Sequence, residues 1–217
     1  MTERTICLHL AVSILAVISF ILLALATFST PMSTELYFLR SSQAGGVRFG
    51  AWGWCLEGTG TCMAPMKLGY TYKRALDTPI TGALVLYPIA WILNAFLLLS
   101  IVIRVLRPGA SLGRQVVCAL AVSTFSISVL AFIFMITTFE PARKRFALDG
   151  FSAQLGPLCW LSLVATLLLG LAAMLSFFAK FNEDSDVPAH FDKEARLTSL
   201  PYRRRLRPFR TVAATRY

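Results

Sequence analysis

The chain has 217 residues, of which 56% are hydrophobic and only 15% charged, with a formal net charge of +10. An average soluble domain is about 25% charged, and the long apolar stretches here leave no room for a separate soluble domain of ordinary size. Composition therefore excludes a soluble globular protein and points to one membrane unit with loops.

The first apolar stretch, Ile6–Phe28, is long enough to cross a bilayer, which takes about 20 residues. Ala24-Leu25-Ala26 resembles a signal-peptide cleavage site. The run is nevertheless longer than the roughly 7–15 residues of a signal-peptide core, and Glu3 offsets Arg4, so a retained helix is expected. His9 and, in the next span, Asn94 read as hydrogen-bonding glue between helices.

The loop that follows, 29–78, carries Trp52-Gly53-Trp54-Cys55 and, seven residues after that cysteine, Cys62. Two cysteines this close, with Gly58 and Gly60 between them, can close a small disulfide ring in an oxidising compartment. Tyr37-Phe38-Leu39 and Val47 to Trp54 alternate large apolar residues with small or polar ones, and Gly45-Gly46 separates them as a turn would. Met63 to Tyr72 is again rich in β-formers. A small antiparallel sheet of three or four strands is expected, stapled by Cys55 and Cys62 and filled by Trp52 and Trp54, because so small a sheet needs aromatic mass.

Three further spans are predicted near Ile80–Ile103, Val116–Thr138 and Leu155–Phe178. Cys7, Cys118 and Cys159 fall in or at the edge of spans and read as small hydrophobes. Ser123, Thr124, Ser126, Ser128, Gly170, Ala172 and Ala173 permit close helix approach. No charged residue lies well inside a span, which disfavours an ion-coupled transporter. Glu140, at the end of the third span, is expected to pair with Arg143 or Lys144. The fold class is thus all-α membrane: a four-helix bundle over 1–179 with a stapled β-rich first loop, then a tail over 180–217.

That tail divides by charge. Asn182 to Glu194 is acidic and reads as a spacer, whereas Ala195 onward has seven arginines and no acid. Arg203, Arg204, Arg205, Arg207 and Arg210, interspersed with Tyr202, Leu206 and Phe209, would be drawn to anionic inner-leaflet lipids. Nucleic acid is the competing partner for an arginine run, and membrane tethering argues against it.

Lysine and arginine counts place both termini in the cytoplasm. Arg4, then Arg104, Arg107 and Arg114, and the tail lie on one side; Arg40, Arg48, Lys67, Lys73, Arg74, Arg143, Lys144 and Arg145 lie on the other. The redox argument agrees, since this topology exposes Cys55 and Cys62 to the oxidising side.

Phe49-Gly50-Ala51-Trp52-Gly53-Trp54-Cys55, the second Cys62 and Leu68-Gly69-Tyr70 resemble the first loop of the fungal PalI family, four-span plasma-membrane proteins distantly similar to claudins. Ala142-Arg143, Gly150-Phe151-Ser152-Ala153-Gln154-Leu155-Gly156 and Trp160 resemble that family's second extracellular loop and the start of its fourth helix. The resemblance implies a plasma-membrane protein whose motif residues here are Trp52, Gly53, Trp54, Cys55, Cys62, Gly69 and Tyr70. It implies an accessory role in ambient-pH sensing, as in the branch with compact first loops, or a role in eisosomes and cell-wall organisation, as in the other branch. A third class, an auxiliary subunit of a channel or transporter, follows from claudin-like architecture by analogy alone.

For catalysis the sequence offers almost nothing. It holds two histidines, His9 and His190, and no HExxH, Gly-x-Ser-x-Gly or P-loop motif. It is read as a non-enzyme with no metal and no cofactor, whose partners are the bilayer and another membrane protein.

Overall fold

A computed structural model describes residues 3–63, 69–72, 76, 81–106 and 112–185. Four helices are long and apolar enough to cross a membrane: α1 Glu3–Thr27, α2 Leu86–Leu106, α3 Leu112–Leu148 and α4 Pro157–Ser185. Each turns large side chains such as Ile14, Phe96, Ile133 and Leu167 outward, which is stable only against lipid. This is a multi-pass membrane protein.

Small and polar residues hold the bundle together. Ala16, Leu97, Val117, Ala121 and Ala173, drawn from all four helices, form one buried cluster. The Asn94 side-chain amide donates to the Ala16 carbonyl at 3.2 Å, tying α2 to α1. Ser128 and Thr166 share a 2.8 Å hydrogen bond between α3 and α4, and Gly170 lies against the Phe125 ring. In a solvent as apolar as leucine, such contacts replace hydrophobic burial as the associating force.

One end of the bundle carries a four-stranded antiparallel sheet, β1 Leu39–Ser41, β2 Val47–Phe49, β3 Trp54–Leu56 and β4 Ala153–Leu155, in the order β3-β2-β1-β4. The first three strands come from the loop after α1, where the alternation places a small sheet. The run expected from Val47 to Trp54 is broken by a turn into β2 and β3, and residues 64–68 of the run expected from Met63 to Tyr72 lie outside the described residues. The fourth comes from the loop between α3 and α4, so both loops build one sheet. The sequence reading starts the fourth helix at Leu155; in the structure Leu155 pairs with Leu39 and the helix starts at Pro157. A proline suits the first helical turn, where its missing N–H has no acceptor to lose.

The third helix also differs from its predicted extent. It runs ten residues past Thr138, through Pro141, to Leu148. At 1.5 Å per residue its 37 residues measure about 55 Å, against the ~30 Å of a bilayer's hydrocarbon core. Phe139, Ala142 and Phe146, spaced three and four apart, bury one face of this extension. Phe139 stacks on Phe38 with ring centroids 5.5 Å apart, and Phe146 stacks on Phe49 at 5.8 Å. The sheet lies on α3 through these rings. Hydropathy ends the span at the charged residues 140–145, but only one face of those turns is polar. On it, Arg143 pairs with Glu140 at 3.2 Å and Lys144 approaches the same carboxylate at 3.9 Å.

Candidate functional site

The motif cysteines are joined. Cys55 and Cys62 form a disulfide across an antiparallel bridge, flanked by Leu56 N–H donating to Thr61 O and Met63 N–H donating to Trp54 O, both at 2.9 Å. The ring therefore zips segment 61–63 onto β3, the neighbouring-strand linkage that the spacing suggests. Closing a loop of this size contributes about 2–3 kcal/mol by restricting the unfolded chain.

The other motif residues fasten the sheet to the helices. The tight connection from β2 to β3 is closed by Gly50 N–H donating to Gly53 O at 2.8 Å. From it the Trp52 indole N–H donates to the carbonyl of Thr27, the last residue of α1, at 2.7 Å, satisfying one of the helix's terminal acceptors. Ala51 N–H donates to the Ser29 hydroxyl at 2.9 Å. A Cβ on Gly53 would lie 2.8 Å from the Met63 carbonyl oxygen, so glycine is required where the stapled segment crosses. Gly69 holds φ +81°, where a side chain is strained. It precedes Tyr70, whose hydroxyl donates to Gly50 O at 2.8 Å. Thr81 clamps Tyr70, its hydroxyl accepting from Tyr70 N–H and donating to Tyr70 O, both at 2.8 Å. Burial pushes the Tyr70 phenol far above its ordinary pKa, so it stays a donor at any working pH. Trp54 packs edge-on to Tyr72 with centroids 5.1 Å apart.

The face of the sheet turned away from α3 is polar. Arg40 on β1 stands directly opposite Arg48 on β2 and Gln154 on β4. Like charges opposed across strands repel, and Glu57, just past β3, resolves this. Its carboxylate accepts from Arg40 Nε and Nη2 and from Arg48 Nε, each at 2.7 Å. Arg48 also donates to Thr34 O at 2.7 Å and to Glu35 at 3.2 Å, and its guanidinium lies 5.3 Å from the centre of the Tyr37 ring. Hydrogen bonds from Arg40, then from Arg48, hold the Glu57 carboxyl below its ordinary pKa, with burial acting the other way. In turn the Glu57 hydrogen bonds raise both guanidinium pKa values. Beside this cluster, Arg40, Ser41, Ser42, Glu57, Ser152 and Gln154 line a cleft of about 360 Å³.

A family model described as the SUR7/PalI family matches residues 5–172, more than half of the chain. The chain belongs to the SUR7/PalI family. No curated protein matches it. Of the residues singled out in the sequence, Trp52 fastens the hairpin to α1, Gly53 closes its turn, Gly69 supplies the positive φ before Tyr70, Tyr70 anchors to Gly50, Trp54 packs against the aromatic core, and Cys55 and Cys62 staple the hairpin. The arginines proposed to hold lipid, Arg203, Arg204, Arg205, Arg207 and Arg210, lie outside the described residues. In the sequence alone Arg40 and Arg48 stand out only as topology charges, and Glu57 not at all. The signal was present, since Leu39-Arg40-Ser41 and Val47-Arg48-Phe49 each place one arginine between two inward residues. Among the described residues, no group of three His, Cys, Asp or Glu side chains gathers as metal ligands would.

Proposed function

We propose that this SUR7/PalI protein is a non-enzymatic accessory subunit of ambient-pH sensing at the fungal plasma membrane. In this reading the stapled sheet lies outside the cell and both termini lie in the cytoplasm. The observation that carries the reading is the mounting of the sheet. Trp52 ties it to α1, Phe139 and Phe146 fix it to α3, and its polar face is left outward as a docking surface of set orientation.

A second observation favours an accessory over the sensor itself. The two histidines of the chain, His9 and His190, lie in the first span and the tail. The loops thus lack the side chain that titrates near neutrality, and Glu57 is displaced further from neutrality by its arginines. The proton-sensing group then belongs to a partner, which this protein supports.

The arginine-rich tail favours a second reading, an eisosome-type organiser of membrane domains and cell-wall integrity, with the tail held on anionic inner-leaflet lipids. An auxiliary subunit of a channel or transporter is a third. Crosslinking and pull-down from native membranes, with live-cell imaging, separates them. Recovery of a membrane receptor and loss of the response to alkaline medium on deletion support the first reading. Static cortical patches with an intact pH response support the second and overturn the first.

A further inference from the structure

Two features of the sheet meet at β4. The first is an open edge. Ser42 N–H donates to Ser152 O at 2.9 Å and Gly156 N–H donates to Phe38 O at 2.7 Å. Bonded and non-bonded pairs alternate along an antiparallel ladder, and Arg40 stands opposite Gln154 in this register. Gln154 therefore turns its backbone groups toward β1, while Ala153 and Leu155 turn theirs away. Among the described residues β4 pairs with β1 alone. The opposite edge is treated differently: β3 is covered by 61–63 and locked there by the disulfide. A row of unpaired N–H and C=O groups is a template for another strand.

The second feature is the polar cleft, whose lining includes Gln154 of β4 and Ser152 just before it. Its accessible charge is positive, because the Arg40 side chain is 50% exposed and that of Glu57 only 19%. A free sugar or small anion would use the cleft and ignore the edge. Only an extended peptide uses both.

We infer that this corner binds an extended segment of a second membrane protein, added as a strand against Ala153 and Leu155, with an acidic side chain entering the cleft toward Arg40. A residue placed opposite Gln154 shares its outward face. It stands two strand spacings from Arg40, about 10 Å, which a glutamate and an arginine reaching toward each other can bridge. Three residues of strand supply few ladder bonds, so selectivity rests on the acidic side chain. The inference deepens the docking reading above by assigning the docking surface and the chemistry of what it receives.

The test uses the full-length protein in phosphatidylcholine nanodiscs and two pools of synthetic eight-residue peptides, identical except for a central Glu or a central Lys. In the protein alone the amides of Ala153 and Leu155 should exchange with solvent freely while that of Gln154 is protected. The Glu pool should slow exchange at 153 and 155 at least tenfold, and the Lys pool should not. Ala153→Pro removes a donor that faces the edge and none that faces β1, so it should abolish retention of the Glu pool while the Cys55–Cys62 disulfide and unfolding temperature are kept. Arg40→Gln should make the two pools equivalent. Protection of 153 and 155 before any peptide is added, meaning that the edge is already filled by this chain or a second copy, would overturn the inference. So would equal retention of both pools by the wild type, or no slowing by either. Should Ala153→Pro not fold, the wild-type exchange comparison decides alone. Failure here with a receptor still recovered from membranes would place the docking surface elsewhere and leave the accessory reading standing.

Discussion

The indole of Trp52 hydrogen-bonds the carbonyl of Thr27 at 2.7 Å, so the turn that opens the stapled hairpin is fastened to the end of the first membrane helix. Replacing the indole by a phenyl ring keeps the packing and removes the donor. Trp52→Phe is expected to cost about 1–2 kcal/mol, the usual loss when a buried acceptor is orphaned. It should appear as a lower unfolding temperature in detergent, and an unchanged temperature would refute the fastening role.

Cys55→Ser and Cys62→Ser should each lower stability by about 2–3 kcal/mol and reduce surface abundance. The double variant should be no worse than either single one, because all three lose the same crosslink. Mass spectrometry finding two free thiols in surface protein would sink this prediction.

The acid dependence of the sheet is assigned to Glu57. Its pKa is depressed in the folded state by Arg40 and Arg48, so its contribution is complete above the unfolded carboxyl value of about 4.3 and is lost as pH falls through the folded value. The groups facing it are Arg40 from β1 and Arg48 from β2, with Glu35 beside Arg48. Once Glu57 is protonated, the two opposed arginines are left without their shared counter-charge. Glu57→Gln should be less stable than wild type at pH 7, with the gap closing as pH is lowered below the unfolded carboxyl value and through the depressed folded one. A gap independent of pH would assign the acid dependence to other carboxylates.

With both termini in the cytoplasm, an impermeant label on intact cells should reach cysteine-directed tags placed near Lys144 and miss tags placed after Tyr217. Labelling of the C-terminal tag would reverse the topology and place the sheet inside.

For the tail, a peptide of residues 195–217 should bind phosphatidylserine vesicles, lose that binding as salt is raised, and ignore neutral vesicles. Replacing Arg203, Arg204, Arg205, Arg207 and Arg210 together should weaken binding far more than replacing one. Binding to neither vesicle would leave the arginines with orientation alone.

The four spans and the stapled sheet were legible because each rests on a local pattern: apolar length for the helices, alternation and glycine turns for the strands. What was not legible required knowing which segments meet. Ala153-Gln154-Leu155 is too short to declare itself a strand and becomes one only because β1 offers it an unpaired edge. Residues 140–148 look like a charged loop to a hydropathy window, and their helical face is revealed only by the phenylalanines that the sheet covers. The Arg40–Glu57–Arg48 cluster joins residues up to seventeen positions apart, and its members come together only once the strand register is known.

The continuity of α3 has a mechanical consequence. The helix that crosses the bilayer is the same one on which the sheet lies, with Pro141 set inside it between the buried Phe139 and Ala142. The sheet consequently has no orientation of its own. A change of about 10° in the tilt of α3, well within the range membrane helices adopt, would swing the far end of the ~15 Å extension by roughly 2.6 Å. Any change in how the neighbouring helices hold α3 is thereby converted into a change in the height and angle of the sheet's polar face.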